Sequence, residues 1–158
     1  MEMKLKIGDK APNFKGTDQN NNEISLKDFK GKKLVLYFYP KDNTPTCTVQ
    51  ACNIRDNYSD LQKSGISIIG ISPDNEKSHQ NFSNKHTLPF PIIADSDSKM
   101  INDYGVWGEK QLYGRKYMGL HRTTFLINEK GKIVHIITKP KSKEHVAEII
   151  KAWEQIDL

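Results

Sequence analysis

The sequence predicts an α/β fold in which helices cover both faces of a mixed β-sheet. Three observations point there. Leu34–Tyr39, Ile66–Ser72, Thr123–Ile127 and Ile133–Ile137 are apolar runs rich in β-branched and aromatic residues, and they read as strands. A stretch with helical spacing separates the first two, and strand, helix, strand implies a parallel pair with a right-handed crossover. Asn128-Glu129-Lys130-Gly131 is a turn between the last two, which makes them antiparallel partners.

Taken in order, residues 5–31 read as a short β-hairpin and a helical turn. Phe14 is the anchor, Asn20-Asn21-Asn22 suits the turn, Ile24 and Leu26 alternate as in a strand, and Leu26-Lys27-Asp28-Phe29 leads to a stop at Gly31. The buried strand Leu34–Tyr39 follows, then a loop stiffened by Pro40 and Pro45. Cys47, Ala51, Ile54, Tyr58 and Leu61 recur at intervals of 4, 3, 4 and 3, one stripe of a helix that ends at Ser64-Gly65. Gln50, Asn53, Arg55, Asn57, Asp60 and Lys63 fall on its other face. After the strand Ile66–Ser72, Ser72-Pro73-Asp74-Asn75 starts a polar helix running to about Lys85, with Phe82 as its clearest core residue. Pro89-Phe90-Pro91 constrains a turn before the short strand Ile92-Ile93-Ala94. Ser96 to Tyr104 reads as helix, with Met100, Ile101 and Tyr104 facing in. Gly105 to Gly119 is a loop or hairpin whose Trp107, Tyr113 and Tyr117 either wall a pocket or pack under the loop. The last helix, about Lys143 to Ile156, sets Val146, Ile149, Ile150, Trp153 and Ile156 on one stripe. The order βαβ, then βα, then a β-hairpin and α, is thioredoxin-like, with residues 1–158 expected to form one domain.

Composition narrows the function classes. Of 158 residues, 36% are apolar and 27% charged. The apolar content is low, but it is clustered into strands and stripes, which argues for a folded core rather than disorder. The net charge is +5, yet the lysines are scattered among acids, so a solvated surface is expected rather than a nucleic-acid interface. No run of 18 apolar residues exists to span a membrane. Met1-Glu2-Met3-Lys4 is not followed by an apolar stretch of the secretory type. A cytoplasmic protein is expected, with a mature organellar form left open.

Both cysteines sit where a strand gives way to a helix. Cys47 lies in the first turn, where helix N–H groups lack partners and the dipole is positive, so a thiolate there is stabilised. The thiolate is the nucleophilic form. Thr44 and Thr46 add hydroxyls able to cap the helix or hydrogen-bond the sulfur. In an intact helix residues five apart have Cα atoms roughly 8.6 Å apart. A disulfide needs about 4.4–6.8 Å. Cys47 and Cys52 therefore cannot bond while the helix is whole, and if they do bond its first turns must unwind. A metal site is disfavoured, since C-x4-C with no nearby His offers two ligands where zinc takes four. Inert, buried cysteines remain the alternative.

Pro40-x-x-x-Thr44-x-x-Cys47 resembles the active-site motif of the peroxiredoxins, and Cys52 five residues on resembles the bacterioferritin comigratory protein, or peroxiredoxin Q, subfamily. Ala11-Pro12-Asn13-Phe14, Val49-Gln50-Ala51-Cys52, Gly105-Val106-Trp107-Gly108-Glu109-Lys110 and His121-Arg122 match as well, so the resemblance covers roughly residues 5–155. One position departs: the subfamily usually has Gly before the cysteine, where this chain has Thr46. The resemblance implies the thioredoxin-like fold and a thiol peroxidase acting on hydrogen peroxide and organic hydroperoxides. It implies Cys47 as nucleophile, Thr44 bonding sulfur and peroxide, Arg122 stabilising thiolate and leaving oxygen, and Pro40 shielding the sulfur. The backbone N–H groups of Thr46 and Cys47 would donate too. It further implies a Cys47–Cys52 intramolecular disulfide reduced by thioredoxin or a similar dithiol protein, no cofactor, and a monomer. Two other classes compete: a redox sensor on the same fold, and a structural thioredoxin-like module. A disulfide reductase is disfavoured because C-x-x-C is missing. His121 borders the implied site, and no histidine is assigned a role.

Overall fold

The structure is a computed structural model that describes residues 3–157. Its centre is a five-stranded sheet in the order β5 (Ile92–Ala94), β4 (Ile66–Ser72), β3 (Lys33–Phe38), β8 (Thr123–Ile127), β9 (Ile133–Ile137). β3 pairs in parallel with β4, which pairs in parallel with β5. On its other side β3 runs antiparallel to β8, and β8 to β9. The predicted parallel pair and the predicted hairpin thus share one mixed sheet. β1 (Lys15–Thr17) and β2 (Glu23–Ser25) form the expected N-terminal hairpin, followed by a 3₁₀ turn over Leu26–Phe29.

Strand alternation sends side chains to two cores. Val35, Tyr37 and Tyr39 meet α1 (Pro45–Asp56), α2 (Tyr58–Lys63), α3 (Glu76–His86) and α5 (His145–Ile156) through Ala51, Ile54, Leu61, Phe82, Val146, Ile149 and Trp153. Leu34, Leu36 and Phe38 face the opposite core, with Phe14, Phe125 and, from α4 (Lys99–Asp103), Met100 and Ile101. Gly70 in β4 is required by close approach, since an added Cβ would lie 2.8 Å from the Tyr37 ring.

Several boundaries differ from the pattern reading. The single helix expected from Cys47 to Ser64 is two, broken at Asn57. There the Asn57 side chain donates to the Asn53 carbonyl (2.9 Å) and competes with the ladder. Gln50, expected outside, is buried, because it lies three residues from Cys47 and four from Ile54 on the same face. α4 begins at Lys99 rather than Ser96, after the Asp95 carboxylate accepts from the Met100 and Ile101 N–H groups (3.1 and 2.8 Å). α5 begins at His145, where Asn53 of α1 accepts from Val146 N–H (3.0 Å). Residues 107–120 form a hairpin, β6 (Trp107–Leu112) and β7 (Arg115–Leu120). Its Trp107, Tyr113 and Tyr117 are exposed, so they do not form a packed cluster under the loop.

Ile54 joins α1 to the sheet at a fully buried position. Ile54→Ala is expected to lower the unfolding free energy by about 2–5 kcal/mol, read from urea denaturation with the slope unchanged.

Candidate active site

The parallel β3–α1–β4 unit fixes where chemistry can occur, beyond the carboxyl end of β3. The chain leaves β3 at Phe38, and Tyr39-Pro40 leads into a loop held by buried hydrogen bonds. The Asp42 carboxylate accepts from Tyr39 Oη (2.6 Å), Ser78 Oγ (2.8 Å) and His79 Nδ1 (2.7 Å), while Asp42 N–H donates to Asp74 (2.7 Å). His79 Nε2 donates onward to the Ile93 carbonyl (3.1 Å). Burial alone would raise the Asp42 carboxyl. The bonds from His79, Tyr39 and Ser78 outweigh it and hold the group below its ordinary range. Burial pushes the Tyr39 hydroxyl far up, which keeps it a donor.

The loop delivers α1 with Thr44 at its N-cap and Pro45 in the first turn, where a missing N–H costs nothing. Of the two uses open to the Thr44 hydroxyl, capping the helix or bonding the sulfur, the structure shows neither. Its hydroxyl donates to the Lys41 carbonyl (3.0 Å), and its own carbonyl starts the helix by accepting from Thr48 N–H (2.9 Å). Thr46, the departure from the resembled pattern, is exposed in the first turn. Cys47 is third in the helix and buried, with 2% of its surface accessible.

Arg122 meets it from the other side. Arg122 Nη2 donates to Cys47 Sγ at 2.9 Å and Nη1 to Gln50 Oε1 at 3.3 Å. Strand register explains the meeting: Phe38, at the end of β3, is paired with Thr123, at the start of antiparallel β8. The loop leaving one strand and the residue entering the other must be neighbours. The segment is fixed by His121 N–H to the Val106 carbonyl (2.7 Å), His121 Nε2 to the Glu109 carbonyl (3.0 Å) and Thr123 Oγ1 to the His121 carbonyl (2.8 Å). His121 therefore anchors the Arg122 segment to the β6–β7 hairpin.

Cys47 and Cys52 are both free thiols within one continuous helix, so the geometric bar to a disulfide holds. Cys52 is half-buried, with Sγ 3.9 Å from His86 Nδ1. Pro40 is half-buried at the loop's start. The structure places Arg122 against Cys47. Asp42, His79 and His86 were missed, and nothing in their spacing marked them; Gln50 was missed although its place three residues after Cys47 sets it on the buried face. Among the described residues no cluster of three or more His, Cys, Asp or Glu has a metal-binding arrangement, and no helix is long and apolar enough to cross a membrane. A guanidinium against a buried sulfur at a helix N-terminus can hold a thiolate and stabilise negative charge on an incoming oxygen.

Residues 7–136 match the AhpC/TSA family. A putative peroxiredoxin bcp of Coxiella burnetii is 47% identical over 148 residues, covering 94% of this chain and 98% of that protein. The Xanthomonas campestris bacterioferritin comigratory protein, a structure described in terms of alkyl peroxide reduction, superposes with a TM-score of 0.86 at 30% identity, covering 98% of both chains. A Xylella fastidiosa PrxQ mutant superposes with a TM-score of 0.91 at 28% identity, covering 99% of this chain and 100% of that one.

The Asp42 network predicts an acid signature. A carboxyl held low in the fold contributes stability above its unfolded value, near pH 4, and loses it as pH falls through the folded value. Asp42→Asn is expected to be less stable at pH 7 and to lose less stability than wild type between pH 7 and pH 3, compared by urea midpoints.

Proposed function

The chain belongs to the AhpC/TSA family as a Bcp-type peroxiredoxin, a thiol peroxidase, and from that premise we propose that Cys47 is its peroxide-reducing cysteine and Cys52 its resolving cysteine. The observation that carries the reading is the 2.9 Å contact between Arg122 Nη2 and Cys47 Sγ. In the first step the Cys47 thiolate attacks one peroxide oxygen. An S–O bond forms, the O–O bond breaks, and the leaving oxygen departs as hydroxide or alkoxide and takes up a proton. Cys47 becomes a sulfenic acid. Arg122 holds the thiolate and offers its charge to the leaving oxygen, with Gln50 keeping the guanidinium in place. Thr44 has committed its proton to the Lys41 carbonyl, so its oxygen offers a lone pair to the peroxide O–H. The Thr46 and Cys47 N–H groups add donors, and Pro40 shields the sulfur from water.

In the second step the Cys52 sulfur attacks the sulfenic sulfur. An S–S bond forms, the S–OH bond breaks and water is released. The first turns of α1 unwind to allow it. A dithiol protein such as thioredoxin then reduces the disulfide, becoming oxidised itself. Hydrogen peroxide and alkyl hydroperoxides are the proposed substrates, and a monomer suffices because both cysteines lie in one chain. The proposed setting is the cytoplasm.

Peroxide consumption coupled to thioredoxin, thioredoxin reductase and NADPH tests the reading. Cys47→Ser is expected to abolish turnover. Cys52→Ser is expected to keep the first oxidation and lose thioredoxin-driven cycling. Full steady-state activity in Cys52→Ser removes that residue from the mechanism, and turnover in Cys47→Ser removes the other.

A further inference from the structure

We propose that His86 is the general base for Cys52, taking its thiol proton while α1 is still wound. The inference rests on the reading of Cys52 as the resolving cysteine. Cys52 Sγ lies 3.9 Å from His86 Nδ1, within reach of a sulfur hydrogen bond. His86 is the last residue of α3, and its ring is set edge-on against Phe82, with centroids 5.2 Å apart. Arg55 of α1 donates through Nη1 to the His86 carbonyl (2.8 Å), pinning the end of α3 against the helix that carries Cys52. The side chain facing the thiol is thus oriented from both helices.

The charged groups facing the imidazole are Arg55 from α1 and Lys85 from its own helix. Arg55 is itself paired with Asp56 (2.9 Å) and stands close enough to Cys52 for their charges to interact. Burial, Lys85 and Arg55 together hold His86 below its ordinary range, so its free-base form predominates at neutral pH. A base in that form can accept a proton, and a thiolate formed beside it is stabilised by Arg55.

The step balances. The Cys52 S–H proton passes to His86 Nδ1, leaving a thiolate and an imidazolium. Opening of α1 carries the thiolate to Cys47, where the S–S bond forms as the S–O bond breaks. The departing hydroxide takes up one proton to become water, and the imidazolium returns its proton to solvent. The net change is one thiol and one sulfenic acid converted to a disulfide and water.

The test follows both steps after one equivalent of hydrogen peroxide, quenching with an alkylating agent and weighing the products by mass spectrometry between pH 6 and pH 9. In His86→Asn, sulfenic acid formation is expected to keep its wild-type rate. Disulfide formation is expected to slow by about tenfold near pH 7. It recovers toward pH 9, where an ordinary thiol ionises unaided at about 8.5. His86→Gln should behave alike. A disulfide rate equal to wild type at every pH overturns the proposal. So does a loss that is the same at every pH or that also slows sulfenic acid formation, because either marks a structural role. Absence of any Cys47–Cys52 disulfide in wild type overturns the resolving role of Cys52 and this inference with it.

Discussion

The arrangement depends on one contact, Arg122 against the buried Cys47 sulfur. A thiolate taken out of water is costly unless a countercharge meets it. Here the sulfur lies in the first turn of a helix and against a guanidinium, the two kinds of group that can meet such a charge. Neither group is local to the other: 75 residues separate them in the chain. They meet because β3 and β8 are antiparallel neighbours whose facing ends, Phe38 and Thr123, emit the cysteine loop and receive the arginine. The sheet exists, in functional terms, to make that register.

The second constraint opposes the first. A wound α1 aims Cys47 at Arg122 and forbids a bond to Cys52. The start of the same helix is lightly held. Pro45, Thr46 and Val49 are exposed, and only Cys47, Gln50 and Ala51 bury side chains before Cys52. Ile54, fully buried, holds the remainder to the sheet. Unwinding to Cys52 therefore exposes little apolar surface, the property expected of a low-stability segment on a stable frame. The Asp42 cluster lies upstream of that segment. It ties the loop to Ser78 and His79 of α3 and, through Asp74, to the end of β4, so the loop ahead of α1 is anchored independently of the helix start.

The strands were legible in the sequence because their burial comes from their own apolar runs: Leu34–Tyr39 and Ile66–Ser72 declare themselves without knowledge of a partner. The position of Cys47 was legible for the same local reason, a strand-to-helix junction. Arg122 was not, since no spacing links it to Cys47, and only the family resemblance pointed to it. Asp42, His79 and His86 escaped both routes, and Gln50, inside a matched segment and spaced for the buried face, was still assigned to solvent. Each is a polar residue whose burial or orientation is set by a group far away in sequence: Arg122 for Gln50, α3 for Asp42, Cys52 for His86. Polar periodicity assigns such residues to solvent by default. The Asn57 break was hidden likewise, because one side-chain bond to Asn53 decides it.

The most direct test is the second-order rate constant for oxidation of reduced protein by peroxide, measured by stopped flow in a Cys52→Ser background, with Arg122 and with Arg122→Leu. That background isolates the first step from resolution and recycling. The account predicts a loss of about 100-fold on removing the guanidinium, the scale of a lost transition-state donor. Equal rates in the two proteins would contradict it, since the contact on which the site is built would then have no part in the chemistry.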